Sequence, residues 1–408
     1  MIKRIAAIVF IFICTTIAWL ALGATIFSRI YSADGRLQDK VASSWGTAQT
    51  QAPPSANYQT IRLHSEETIE NGHKITRQTQ EYVPVALPLE SSRIDVALDL
   101  EHRQKGLLWY STYTVDFLGN YTFLNTSQKD ESVSFLLPFP ASQAVYDNLQ
   151  VRVEGQLATL ETNNCGVSTT VTVPAGKVVP VTFSYHSQGM NNWNYTFGNE
   201  ISQVRDFDLN MKTNFKDIDF PAETLSPTEK HEIQGGWTLT WKYTSLLSGL
   251  HIGMTMPEKL QPGPLAGQIS FFAPVSLFFF FFLMFIITTL RGIDLHPMNY
   301  FFLAAAFFAF HLLMAYLVDH ISVHLAFVIC SIVSILLVVS YLRLVVGMRF
   351  AAVEAGTAQL IYLVLFSYAF FFKGFTGLAI TIGSIVTLFV VMQLTGRIKW
   401  ADKFTTKF

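Results

Sequence analysis

Apolar residues run without a charge from Ile5 to Ile26, and from Ile269 to Thr395 they return in stretches broken only by short polar connections. About 20 apolar residues in a helix cross the ~30 Å hydrocarbon core of a bilayer. The pattern predicts six spans, at Ile5–Ile26, Ile269–Leu290, Met298–Val318, Ile321–Leu342, Ala355–Phe372 and Phe375–Thr395. The intervening residues change period. Ile94, Val96, Leu98 and Leu100 alternate with Asp95, Ala97, Asp99 and Glu101; Leu149, Val151 and Val153 alternate with Gln150, Arg152 and Glu154. Val181, Phe183 and Tyr185, and then Trp237, Leu239, Trp241 and Tyr243, repeat the pattern. Period two buries one face of a strand and wets the other, which predicts antiparallel sheets. Gly119-Asn120, Asn163-Asn164-Cys165-Gly166 and Gly235-Gly236 are the predicted turns. Several short strands at this spacing predict a sandwich. Residues 33–58, rich in Ala, Ser, Gln and Pro, predict a linker, and Met256 to Pro264 a Pro/Gly-rich loop leading back to the membrane.

The fold class expected is an α+β membrane protein. It comprises an N-terminal transmembrane anchor (residues 1–27), a large, sandwich-like antiparallel β domain (28–265), a five-helix transmembrane bundle (266–400) and a short tail (401–408). Lys and Arg in short loops stay cytoplasmic. Lys3 and Arg4 therefore put the N-terminus inside and residues 28–265 outside. Later inner segments then hold Arg291, Arg343 with Arg349, and Arg397, Lys399, Lys403 and Lys407; the short outer turns hold Asp319 and Lys373. Trp19 and Tyr31 near one interface and Trp400 at the other fit an aromatic belt. A cleaved signal peptide is the alternative for the first span. Its 22 uncharged residues exceed the usual 7–15-residue signal core, so a retained anchor is expected.

Composition agrees: 50% of residues are hydrophobic and 14% charged, as in a polytopic membrane protein and unlike a soluble enzyme. A net charge of −1 gives no reason to expect a nucleic-acid partner. Cys14 and Cys330 fall in spans and Cys165 stands alone outside, so no disulfide is expected within the β domain. The phosphate-loop, His-Glu-x-x-His and Gly-x-Ser-x-Gly patterns are absent, and no catalytic residue, cofactor or metal site is expected. Three glycosylation sequons begin at Asn120, Asn125 and Asn194, and Glu101 to Lys105 is a charged cluster that reads as a solvated turn.

Ionisable groups in spans are costly and point to function by default. His311 lies mid-span, Asp319 and His320 lie at an outer turn, and His324 follows four residues after His320, on the same face if both are helical. These four residues form the candidate functional cluster; packed, hydrogen-bonded histidines are the expected reading, and a proton relay or metal site is the alternative. Glu354 is expected to stabilise a helix N-terminus and His296-Pro297 to cap a helix.

Arg291 through Tyr300, Tyr316 through His320 and Leu394 through Trp400 resemble the CreD family of bacterial inner-membrane proteins, and Ser44-Trp45-Gly46 and Lys105 through Tyr110 look similar to the same family. The resemblance implies an inner-membrane protein with residues 28–265 in the periplasm, both termini cytoplasmic, and a link to cell-envelope integrity and stress response without established enzymatic activity. Three functions stay open. The β domain binds or scaffolds an envelope protein or ligand while the bundle sits in the lipid bilayer. Alternatively the bundle is a transporter or channel component, for which His311, Gln359 and Gln393 are the polar residues. A periplasmic enzyme is the third, and needs a converging acid–base site.

Overall fold

The computed structural model describes residues 2–70, 73–105, 108–198, 202–372 and 374–396. Lys373, Arg397, Lys399, Trp400, Lys403 and Lys407, and with them the proposed cytoplasmic tail, lie outside the described residues. The chain forms two compact units. One comprises Leu37–Lys105 and Trp109–Lys259, the other Met1–Arg36, Gly106–Leu108 and Leu260–Phe408.

In chain order the elements begin with α1 (Ile2–Trp45), β1 (Gln49–Gln51), β2 (Ser55–Glu70), β3 (His73–Ala86), β4 (Leu89–Lys105) and β5 (Leu108–Leu124). There follow β6 (Glu131–Pro138), β7 (Tyr146–Val153), β8 (Gln156–Leu157), β9 (Glu161–Asn163), β10 (Gly166–Val173), β11 (Val178–Met190) and β12 (Asn192–Tyr195). The strands end with β13 (Ser202–Thr213), β14 (Glu229–Ile233), β15 (Gly236–Ser248) and β16 (Ile252–Thr255). They assemble into an eight-stranded sheet of order β14-β15-β13-β4-β5-β11-β7-β8, a five-stranded sheet β3-β2-β6-β10-β9 and a three-stranded sheet β1-β12-β16.

All four alternating runs lie in strands, within β4, β7, β11 and β15. Their apolar residues point to one core: Ile94, Val96, Leu98, Val151, Phe183 and Trp241 are each 2% exposed or less. The sheets are not purely antiparallel, because β4 pairs with β13, and β1 with β12, in parallel. Partners so distant in sequence need no hairpin, so either direction is open to them.

Two expectations fail for local reasons. Gly119-Asn120 is not a turn but lies inside β5, where Gly119 faces Phe183 of β11. A Cβ on Gly119 would come within 2.5 Å of the Tyr121 ring, so the glycine makes room for a buried aromatic. Residues 33–58 are not a linker throughout. With no proline before Pro53, α1 continues to Trp45, and β1 and the start of β2 occupy much of the rest. The predicted turns at residues 163–166 and 235–236 do join β9 to β10 and β14 to β15.

The helical unit continues with α2 (Pro262–Arg291), α3 (Pro297–Leu317), α4 (Val323–Val345), α5 (Phe350–Phe371) and α6 (Thr376–Thr395). Among the described residues six helices, α1 to α6, are long and apolar enough to cross a membrane. Pro262 opens α2 in its first turn, where a missing N–H costs nothing, so the expected loop is shorter by its last residues. His296 is the N-cap of α3: its Nδ1 accepts from the Met298 N–H at 3.2 Å, and Pro297 follows.

Four buried tyrosines share the β core. The Tyr113 hydroxyl donates to Asn192 O at 2.8 Å and that of Tyr185 to Gln51 Oε1 at 2.7 Å, while those of Tyr121 and Tyr195 lie 3.4 Å apart. Burial disfavours the phenolate and raises the pKa of all four. The folded-state value thus exceeds the unfolded value of about 10. Their contribution to stability is intact below about pH 10 and is lost as the unfolded chain begins to ionise above it. In an alkaline titration these four are expected to give tyrosinate absorbance only together with loss of the β circular-dichroism signal; ionisation of all tyrosines near pH 10 in the folded chain would contradict this burial.

Candidate functional site

Alternation that buries one face of the eight-stranded sheet projects polar side chains from the other. Along β13, Phe207, Leu209 and Met211 point inward, leaving Asn210 and Lys212 on the outer face. The register then carries that face across the sheet. Asn210 stands opposite Asp95 of β4, and Lys212 opposite Ala97. On β5, Asp116 is opposite His186 and Leu118 opposite Ser184 of β11, and Ser184 is in turn opposite Gln150 of β7. These residues, with Asn148, line a groove of about 700 Å³.

The β7–β11 pairing slips by one residue between Ser184 and His186. Asn148 sits at that slip in the left-handed region, with φ 52°. Asparagine tolerates this conformation better than most residues, and a bulge re-aims side chains and sharpens local twist. Alternation along β5 foretells that Asp116 and Leu118 point outward; the neighbours they meet across the sheet depend on register.

The groove contains one close polar pair. His186 Nδ1 is 2.6 Å from Asp116 Oδ1. Asn210 accepts at Oδ1 from the Thr240 hydroxyl at 2.9 Å, and Gln150 Oε1 accepts from Arg152 at 3.4 Å. Asp116 is 63% and His186 34% exposed at the side chain, so water screens their attraction. Geometrically the groove offers carboxylate, amide, hydroxyl and imidazole groups on the face of the eight-stranded sheet.

The four residues singled out in the helical unit do not form one site. His311 is buried in α3; its Nδ1–H donates to Phe307 O at 2.9 Å, and its ring lies edge-to-face with Trp19 at 5.7 Å. Trp19 is fully buried, so it is a packing residue and not part of an interfacial belt. Asp319 pairs with Arg29 at 3.2 Å. His320 is exposed in the turn after α3, whereas His324 is exposed in the first turn of α4, its ring 5.1 Å from that of Phe371. Ser322 caps α4 between the two histidines, so they do not share a helix face. Among the described residues no hydrogen bond or ion pair joins any two of the four, and no group of three His, Cys, Asp or Glu is placed to hold a metal.

Sequence reasoning missed the polar contacts centred on α5. This helix contains two π-helical segments, Phe350–Ala355 and Leu360–Leu365, and Gln359 lies between them. Its Nε2 donates to Ser334 Oγ at 2.8 Å, whose hydroxyl donates to Ala306 O at 2.7 Å. Ser276 of α2 donates to the Tyr362 carbonyl, and the Tyr362 hydroxyl donates to Thr387 of α6 at 2.9 Å. Glu354 pairs with Arg291 and so serves an ion pair, not a bare helix end. Gln393 is exposed. The Glu101–Lys105 segment is the end of β4, not a loose turn. Arg103 lies 3.4 Å over the Trp45 ring, and His102 Nε2 donates to Pro257 O at 3.0 Å. The sequon residue Asn125 is fully buried and donates its amide to Lys129, Val173 and Pro174 carbonyls, which leaves no room for a glycan.

The model of the inner-membrane protein family CreD matches residues 268–401. That stretch is a CreD-family segment. It bears out the resemblance read from the C-terminal motifs and, with several apolar helices, supports a membrane location. No curated protein matches the chain. Among solved structures, a candidate nutrient-binding protein from Legionella pneumophila is 12% identical with a TM-score of 0.31, over 48% of this chain and 74% of its own. An M1 zinc metallopeptidase from Deinococcus radiodurans is 12% identical with a TM-score of 0.28, over 41% of this chain and 42% of its own. Likenesses this slight carry no argument here.

Because the Asp116–His186 pair is solvent-exposed, Asp116→Ala and His186→Ala are each expected to change unfolding free energy by no more than about 0.5 kcal/mol. Chemical denaturation reads this directly, and a loss of several kcal/mol would mark the pair as a structural element of the sheet.

Proposed function

We propose that this chain is a non-enzymatic inner-membrane protein supporting cell-envelope integrity or the envelope stress response, whose β unit holds an envelope component in the polar groove. The reading sets residues 28–265 in the periplasm, with both termini cytoplasmic. The alternation of Lys and Arg among the short loops supports that orientation. The observation carrying the functional reading is the groove itself, a pocket-sized concavity rimmed by convergent polar groups on a rigid sheet. The helical unit anchors the protein in the lipid bilayer.

A second reading, in which the helices move a solute, rests on Gln359. Its Oε1 is buried without a hydrogen-bond partner between two π-helical segments, a geometry often found at functional sites. Its weakness is that the ionisable groups of the spans are held apart from one another. His311 is enclosed by aromatic rings and Asp319 is held by Arg29.

Cys165 tests the orientation. It is exposed beside β10, whereas Cys330 is buried and Cys14 lies in an apolar stretch. A membrane-impermeant maleimide added to intact spheroplasts is expected to label wild type and not Cys165→Ser; labelling of Cys165 only after lysis would invert the topology.

Function is tested by rescue of envelope leakage in a deletion strain. A groove variant combining Asp95→Ala, Gln150→Ala and Asn210→Ala is expected to lose rescue at normal abundance. His311→Ala, Asp319→Asn, His324→Ala and Gln359→Leu are expected to retain it. The opposite split would move function into the helices.

A further inference from the structure

We infer that the groove binds a glycan chain, an extended oligosaccharide read through its hydroxyl groups; this rests on the groove being the binding site proposed above. The first argument is position. The groove lies on the face of the sheet over β13, β4, β5, β11 and β7; the first four are flanked on both sides, and β7 is paired with β8 only at Arg152 and Val153. An extended peptide is normally recognised by main-chain hydrogen bonds at an open sheet edge, whereas the middle of the groove, over β4, β5 and β11, lies away from any edge. There the ligand has to be read by side chains.

The second argument is charge. Two carboxylates, Asp95 and Asp116, are set against one lysine, Lys212, with His186 already engaged by Asp116. Phosphate-rich ligands call for several Arg or Lys forks and a strongly basic surface, which the lining does not supply. Nor does it form an anionic trough for a polycation, since Lys212 faces the same space as Asp95.

The third argument is polarity. Leu118, 39% exposed, is the large apolar side chain presented to the groove, because Phe117 and Tyr185 direct their rings into the core. An acyl chain or an apolar peptide would find too little surface to leave water. What remains is a ligand dense in hydroxyls with small apolar patches. Carboxylates and amides each present two polar atoms in one plane and can engage neighbouring hydroxyls together. Asp95, Asn148, Gln150 and Asn210 provide such groups, and Leu118 offers a surface for the C–H face of a sugar ring. The volume, about 700 Å³, lies within the range of small-molecule sites, and strands ~4.8 Å apart repeat the polar positions across it.

The test uses the full chain in lipid nanodiscs with two soluble probes, a β-1,4-linked N-acetylglucosamine tetramer and maltotetraose. Saturation-transfer NMR is expected to detect at least one, and calorimetry to give its affinity. Asp95→Ala and Gln150→Ala should each weaken that affinity about tenfold, the loss expected when one hydrogen bond to a charged or well-placed polar group is removed. Lys216→Ala, away from the groove, should leave it unchanged, and unfolding midpoints confirm that each variant is folded. Absence of transfer from both sugars at millimolar concentration overturns the glycan inference, as does binding that survives both groove variants. If sugars fail to bind while groove variants still lose envelope rescue, the groove stands as the functional site and its ligand is of another chemistry. If the variants bind no sugar yet rescue fully, the functional reading of the groove falls although the glycan site exists.

Discussion

Alternate burial along the central strands of the eight-stranded sheet is the constraint on which the β unit depends. A strand can bury only every second residue on a given face. Ile94 and Val96 on β4, Val115 and Phe117 on β5, Phe183 and Tyr185 on β11, and Leu209 and Met211 on β13 all choose the same side. That choice makes the core, and the same alternation sends Asp95, Asp116, Ser184, His186 and Asn210 to the opposite side. Core and groove are therefore two consequences of one pattern, and shifting one strand by a residue would exchange them. The slip at Asn148 shows how narrowly register is held: it is absorbed in β7, next to the outer edge, while β5 with β11, and β4 with β13, keep continuous pairing.

The helical unit obeys a different rule. In hydrocarbon, a polar group without an internal partner costs several kcal/mol, so polar side chains in spans end on carbonyls or on each other. Ser276, Ser334, Gln359 and Tyr362 tie α5 to α2, α3, α4 and α6 in this way. Arg4 with Asp294, and Arg29 with Asp319, hold the ends of the first span against the same unit, with Trp19 packed between them. These contacts explain most of the polar residues in the spans as packing devices. Buried atoms without a hydrogen-bond partner, among them Gln359 Oε1, His311 Nε2, Trp19 Nε1 and Thr16 Oγ1, stand outside that rule, and with the two π-helical segments they are the reason a transport role keeps a place.

Hydropathy and period-two patterning determined by themselves that six helices among the described residues are long and apolar enough to cross a membrane, that the middle of the chain is strand-rich, and which residues of β4, β7, β11 and β15 turn inward. These properties are local: a run of 20 apolar residues or a strict alternation needs no knowledge of its neighbours. The C-terminal motifs also carried the CreD family pattern. Tertiary structure alone decided the rest. Which strands adjoin, and that β4 and β13 run parallel, depends on pairing between distant residues, 115 positions apart for Phe207 with Ser92 and 70 for His186 with Asp116. That pairing created the groove, whose Lys212, Asp95 and Asp116 belong to three separate strands. The same long-range packing buried Trp19, gave Asp319 to Arg29, and separated His320 from His324 by a helix cap, dispersing a cluster that sequence proximity had put together. Spacing along a chain specifies which face a side chain takes; what it meets there depends on contacts that only folding brings into reach.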